Sequence, residues 1–226
     1  MATLKVKIRN ETGLTDPQRY IAFFGDVSGK VQSNSNQQLR SVVFFRTKPL
    51  SNGQVDEFKL TPELYGFVGG SSAQSLAPTH TVNLGFSEEV KLGEENQNNG
   101  TELVVKPSGN YVQLTKATTD KSGEGTFTVW SQNGIPSPNR FVTGLARIIN
   151  NDIKPVAALP LIPGQKFIIM PSLILYVALS SDDDEDTIVD GNKAGLLKQK
   201  IEIEAGQTLV IVTNKVEATK NVLKVA

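Results

Sequence analysis

Two residue types are scarce enough in this chain to narrow its chemistry: it has one His and no Cys among 226 residues. A Cys nucleophile and a Cys-rich zinc site are excluded, and a site of two or three His cannot be built. Net charge is absent too, with 23 Lys plus Arg against 23 Asp plus Glu. No overall field gathers phosphate backbones or anionic lipid, so nucleic acid is not an expected partner. Long hydrophobic runs are missing. The longest, Phe167 to Leu179, falls short of the roughly 18 to 20 residues that cross a bilayer, and Pro171 and Ser172 interrupt it. It reads as core, and no membrane span is expected. The first residues, MATLKVKIRN, alternate polar and apolar and show no secretory pattern. A cytoplasmic chain is the simplest expectation, with a secreted mature chain as the alternative. The lack of Cys agrees with a reducing compartment. There is no P-loop, no G-x-G-x-x-G after a strand and no G-x-S-x-G elbow, so nucleotide cofactors and a Ser-His-Asp triad lack their usual frames.

What is present has a period of two. Leu4, Val6 and Ile8 alternate with Lys5, Lys7 and Arg9, and the pattern returns in Thr79 to Phe86, Thr126 to Trp130 and Ile201 to Glu204. Each predicts a half-buried strand. Other runs are apolar on both faces: YIAFF from Tyr20, VVFF from Val42, FIIM from Phe167, LILYVAL from Leu173 and LVIV from Leu209. Such runs suit central strands covered on two sides, or strands at a subunit contact.

Turn pairs punctuate these strands at Asn52-Gly53, Gly69-Gly70, Asn99-Gly100, Ser108-Gly109, Asn133-Gly134, Asp190-Gly191 and Ala205-Gly206. The expectation is an all-β, antiparallel β-sandwich of jelly-roll or Greek-key type, one domain over residues 1–226, with little helix. Thr61-Pro62-Glu63-Leu64 could open one helical turn, and Val216 to Val225 fits a strand or a short helix. Polar segments from Ser28 to Ser41, Gly93 to Thr101 and Ser131 to Arg140 read as loops.

Three features bear on function. Trp130, the only Trp, closes the strand TFTVW just before the amides Gln132, Asn133 and Asn139. It shares parity with Thr126 and Thr128, so it would face away from Phe127 and Val129 and offer an apolar plate beside hydrogen-bonding amides. The plainer alternative is a Trp packed into the second sheet or a subunit contact. The acidic run Ser180 to Asp186 is the second feature. Asp182, Asp184 and Asp186 fit alternate oxygen-ligand positions of a Ca²⁺ loop, yet Thr187 stands where that pattern needs Gly and Lys193 where it needs a bidentate Glu. A looser Ca²⁺ site and a solvated acidic loop that discourages edge pairing are both open readings. Third, His80 on a regular strand would share the face of Val82, Leu84 and Phe86 and pack against them.

Paired carboxylates are the catalytic chemistry that this composition still permits, with Glu88, Glu89, Glu102, Asp120 and Glu124 as candidates. Asn10-Glu11-Thr12 and Asn99-Gly100-Thr101 match the N-glycosylation pattern, which a chain of this size carries by chance. The leading expectation is a non-catalytic, lectin-like binding protein that takes a carbohydrate, self-associates and requires no cofactor. A structural self-assembling subunit is the first alternative, and a hydrolase or cyclase using paired carboxylates the second.

Overall fold

The computed structural model describes residues 2–25, 28–31, 39–136, 139–180, 183–189, 197–204, 206–217 and 220–225. Among the described residues the regular elements are all strands. In chain order they are β1 (Leu4–Glu11), β2 (Tyr20–Phe24), β3 (Ser28–Val31), β4 (Arg40–Ser41), β5 (Phe45–Arg46), β6 (Val55–Ser71), β7 (Val82–Val90), β8 (Glu102–Ser108) and β9 (Tyr111–Lys116). They continue with β10 (Phe127–Ser131), β11 (Phe141–Ile149), β12 (Asp152–Pro160), β13 (Lys166–Met170), β14 (Ile174–Leu179), β15 (Lys198–Glu202), β16 (Leu209–Glu217) and β17 (Lys220–Val225). Among the described residues no helix is long and apolar enough to cross a membrane.

The large sheet runs β17-β16-β1-β6-β11-β12-β4, with β7 also paired to β6. A second sheet runs β3-β13-β10-β8-β9 and a third β15-β14-β2-β5. Most pairings are antiparallel, whereas β1 with β16 and β8 with β10 are parallel. One core cluster joins the three sheets: Val6, Leu60, Leu145 and Val212 from the large one, Leu103, Phe127 and Phe167 from the second, Phe24, Leu175 and Ile201 from the third. The large sheet therefore packs one face against the two smaller sheets, as in a sandwich.

The doubly apolar runs are buried within the chain itself. In β2, Tyr20, Ala22 and Phe24 enter the main core, while Ile21 and Phe23 meet Val43, Ala178 and Val189 in a satellite cluster. A further cluster lies on the other face of the large sheet, where Phe67, Val82, Val142 and Ala146 meet Val42 and Ile188. The burial of YIAFF needs no second subunit.

Several local expectations are corrected. Thr61 to Leu64 forms no helical turn but lies inside the long strand β6, where the register against β11 shifts between Leu60 and Leu64. Pro62 cannot donate a ladder hydrogen bond, and such an irregularity is where a strand tolerates it. Gly69-Gly70 also sits within β6 and is no turn. There a bulge in the partner strand sets Leu84 opposite Gly69 and Phe86 opposite Val68. The extra residue, Gly85, reverses the facing of everything after it. Val82 and Leu84 thus join the outer cluster while Val90 joins the main core, and Phe86 is left 53 % exposed instead of sharing their face. His80 lies before β7, in a turn, and is not packed on that face. The segment from Ser28 to Ser41 is not all loop, since it contains β3 and β4. Val212 to Val225 completes a strand hairpin.

The β11–β12 hairpin is closed by an unforeseen Asn150-Asn151 turn, each residue with positive φ (51° and 74°) between Ile149 and Asp152. Asn tolerates the left-handed region, which a two-residue turn of this hand requires twice.

Candidate functional site

β10 alternates as its sequence predicts. Phe127 and Val129 fill the main core, while Thr128 and Trp130 occupy the opposite face of the second sheet. Trp130 is 36 % exposed, a solvent-facing indole on a flat β surface. Its register partners are Val104 on one side and Lys166 on the other. Cross-strand partners stand on the same face. Lys166 uses that placement twice: its Nζ lies 5.5 Å from the centroid of the Trp130 ring and 3.1 Å from Glu102 Oε2. Glu102, itself mostly buried, is opposite Thr128. An apolar plate, an ammonium donor and a carboxylate acceptor are thereby gathered on one face.

Below the plate the sheet is tied by hydroxyls. Ser122 Oγ is 2.8 Å from Thr126 Oγ1 and 2.9 Å from Thr128 Oγ1. This network fixes Thr128, and with it the strand that carries Trp130.

The proposed ligand amides divide into two places. Gln132 extends the β10 ladder through its N–H to the Val105 carbonyl, 3.0 Å, and has the parity of Trp130. Asn133 turns the chain with Gly134 (φ 89°), its side-chain oxygen close against Gly164 ahead of β13. These two stay at the Trp130 end of the sheet. Asn139 does not: its Nδ2 donates to the Pro136 carbonyl at 2.7 Å and its Oδ1 accepts from the Phe141 N–H at 2.9 Å. Its amide shapes the loop instead of facing outward beside Trp130. Asn139 lines a separate open cleft of about 350 Å³ with Gly70, Asn110, Pro136, Arg140 and Phe141.

The acidic run is tied into the fold. Asp182 lies outside the described residues. Asp184 pairs with the Arg46 guanidinium and Glu185 with Lys154, while Glu185 Oε1 also accepts from the backbone N–H of Arg46 at 3.1 Å. Ser180 Oγ donates to Asp183 Oδ2 at 2.6 Å. Past these contacts the backbone is bonded on both sides. Asp186 N–H reaches the Val43 carbonyl and Val189 N–H the Ser41 carbonyl, while Ile188 N–H reaches His80 and Val82 N–H reaches Asp186. Ile188 and Val189 then seal the two satellite clusters. Asp186 itself has a positive φ of 62°, and burial first of all pushes its carboxyl above the ordinary value, with Glu185 adding and Lys154 opposing. Among the described residues no three His, Asp or Glu side chains gather where they could hold a metal ion.

Among the described residues no hydrogen bond or ion pair joins one candidate catalytic group to another. His80 Nδ1 is 2.8 Å from the Ser75 carbonyl and 3.2 Å from the Ala77 nitrogen, within its own turn. Glu88 and Glu89 are successive residues of β7 opposite Gly66 and Tyr65, Glu102 is held by Lys166, and Glu124 Oε2 accepts from the Asn96 N–H at 3.5 Å. Asn10 of the first glycosylation tripeptide is fully buried, bonded through Nδ2 to the Leu50 carbonyl at 2.7 Å and through Oδ1 to Thr12.

Sequence reasoning singled out Trp130 but not Lys166, whose meeting with Trp130 and Glu102 depends on which strand pairs with which. Compared with known protein families, with curated proteins and with solved structures, the chain matches none of them.

Proposed function

We propose that this protein is a non-catalytic carbohydrate-binding protein whose ligand lies on the outer face of the second sheet, over Trp130. One observation carries the reading: the exposed indole stands beside the Lys166–Glu102 pair. A sugar ring has an apolar face of C–H groups rimmed by hydroxyls. An aromatic plate takes the first, and a donor next to an acceptor takes a pair of the second. The Lys166 and Glu102 charges offset each other, which favours a neutral sugar over a charged one. That His80, Glu102 and Glu124 bond to other groups and not to one another supports binding without catalysis.

No cofactor is required in this reading. Arg46 and Lys154 already neutralise Asp184 and Glu185, which supports sugar binding that does not wait for Ca²⁺. A glycan array probed with the wild-type protein and with Trp130→Ala, each with Ca²⁺ and with chelator, tests both points. The expected result is a glycan set bound by the wild type in either condition and lost in the variant. Binding that survives Trp130→Ala, or an array without any bound glycan, overturns the reading.

A further inference from the structure

The cleft that holds Asn139 is built from parts of three separate regions. Gly70 comes from the end of β6, Asn110 from the tip of the β8–β9 hairpin, and Pro136, Asn139 and Arg140 from the connection into β11, with Phe141 at that strand's first position. Its walls are fixed by short bonds. Ser71 N–H donates to the Arg140 carbonyl at 2.9 Å, and the Asn139 amide clamps Pro136 and Phe141 as described. Gly109, with φ of 61°, turns the hairpin that presents Asn110. Gly70 leaves the floor open. A Cβ placed there meets nothing nearer than the Arg140 carbonyl oxygen at 4.0 Å.

The chemistry of the lining is asymmetric. Phe141 and Pro136 supply an apolar wall, and Asn110 is an exposed amide. Arg140 is exposed, and among the described residues its guanidinium has no carboxylate partner. A planar guanidinium beside an apolar wall is complementary to a carboxylate on a flat apolar body, because the fork takes both oxygens while the body leaves water. The volume of about 350 Å³ is at the lower end of small-molecule sites, roughly 300 to 1,000 Å³. It admits a single ring, not a chain of sugars.

We propose that this cleft is a second binding site, specific for a small organic carboxylate with an apolar, ring-sized body, and that it works independently of Trp130. None of the described residues that line it belongs to the Trp130 face.

Benzoate is the probe, followed through the backbone amide resonances of uniformly ¹⁵N-labelled full-length protein. Saturable shifts are expected at Asn110, Asn139, Arg140 and Phe141 in the wild type and equally in Trp130→Ala. Arg140→Gln should weaken the binding by about tenfold or more, the scale of one lost charge-assisted contact. Gly70→Val, which fills the floor without a positive-φ conflict, should abolish it. Acetate and inorganic phosphate test the apolar body, benzyl alcohol the carboxylate, and glucuronate a sugar acid as the source of the charge. All four should bind at least about tenfold more weakly than benzoate. Absence of shifts at the cleft, undiminished binding in Arg140→Gln, or a control bound as tightly as benzoate overturns the proposal. Arg140 is exposed, so its variant stays informative even if Gly70→Val does not fold.

Discussion

Lys166 Nζ stands 5.5 Å from the centre of the Trp130 ring while bonding Glu102 Oε2 at 3.1 Å, so one ammonium serves a π face and a mostly buried carboxylate together. Removing it by Lys166→Met strips Glu102 of its ion-pair partner, and stability should fall by about 1 to 3 kcal/mol. The double variant Lys166→Met/Glu102→Gln should be less destabilised than the sum of the single changes. Urea denaturation of the four proteins measures this coupling, and strict additivity would show that the pair contributes nothing.

Arg147 presents the opposite case. It is 4 % exposed in the main core, and its guanidinium carbon lies 4.7 Å from the centre of the Phe24 ring. Among the described residues its Nε has no hydrogen-bond partner. Burial pushes its pKa down to about 10. An unpaired buried cation is costly, so Arg147→Met should stabilise the fold by roughly 1 to 4 kcal/mol at neutral pH. The folded state releases the Arg147 proton more readily than the unfolded chain does. Wild-type stability relative to the variant must therefore rise as pH climbs past 10, and the gap between them should narrow. Parallel melts at pH 7 and above pH 10 check the sign.

Asp186 shifts the other way. Its carboxyl is raised, so the folded state binds a proton more tightly than the unfolded chain, whose value is near 3.8. The stabilisation associated with that proton is complete below the unfolded value and is lost as pH rises through the folded one. Asp186→Asn keeps a residue suited to the positive φ and removes the half-buried charge. It should melt higher than wild type at pH 7, with the advantage gone by about pH 3.8.

Gly66 marks where β6 approaches the second sheet. A Cβ there would fall against Leu103 Cδ1 and within 3.0 Å of Phe127 Cε2, both in the main core. Gly66→Ala should therefore destabilise by about 1 to 3 kcal/mol through overpacking. Gly13→Ala gives a useful contrast, since nothing lies within 4 Å there and only its φ of 70° resists the change.

Period-two alternation made the strands around Val6, Val129 and Ile201 legible, because one buried face imposes that period wherever it occurs. It also placed Trp130 outward. It failed at Phe86, since an added bulge residue reverses parity without any mark in the alternation itself beyond Gly85. Glycine pairs signalled the turns at Gly53, Gly109 and Gly134, all of positive φ, but misled at Gly69. There the requirement is close strand approach: a Cβ would strike the Asn83 carbonyl. The Lys166 contact, the Arg46 and Lys154 pairs and the cleft at Arg140 all join residues remote in sequence. Strand order decides such meetings, and local pattern does not carry it.

A sugar ring stacked on the exposed face of Trp130 would change the surroundings of its indole N–H. As the chain has a single Trp, its indole N–H gives one resonance in a ¹H–¹⁵N spectrum. Titration with glucose, galactose, mannose and N-acetylglucosamine should move that resonance saturably for at least one of them and, for the same sugar, leave it in place in Lys166→Met/Glu102→Gln. An indole resonance that stays fixed with all four sugars up to their solubility limits would contradict the account.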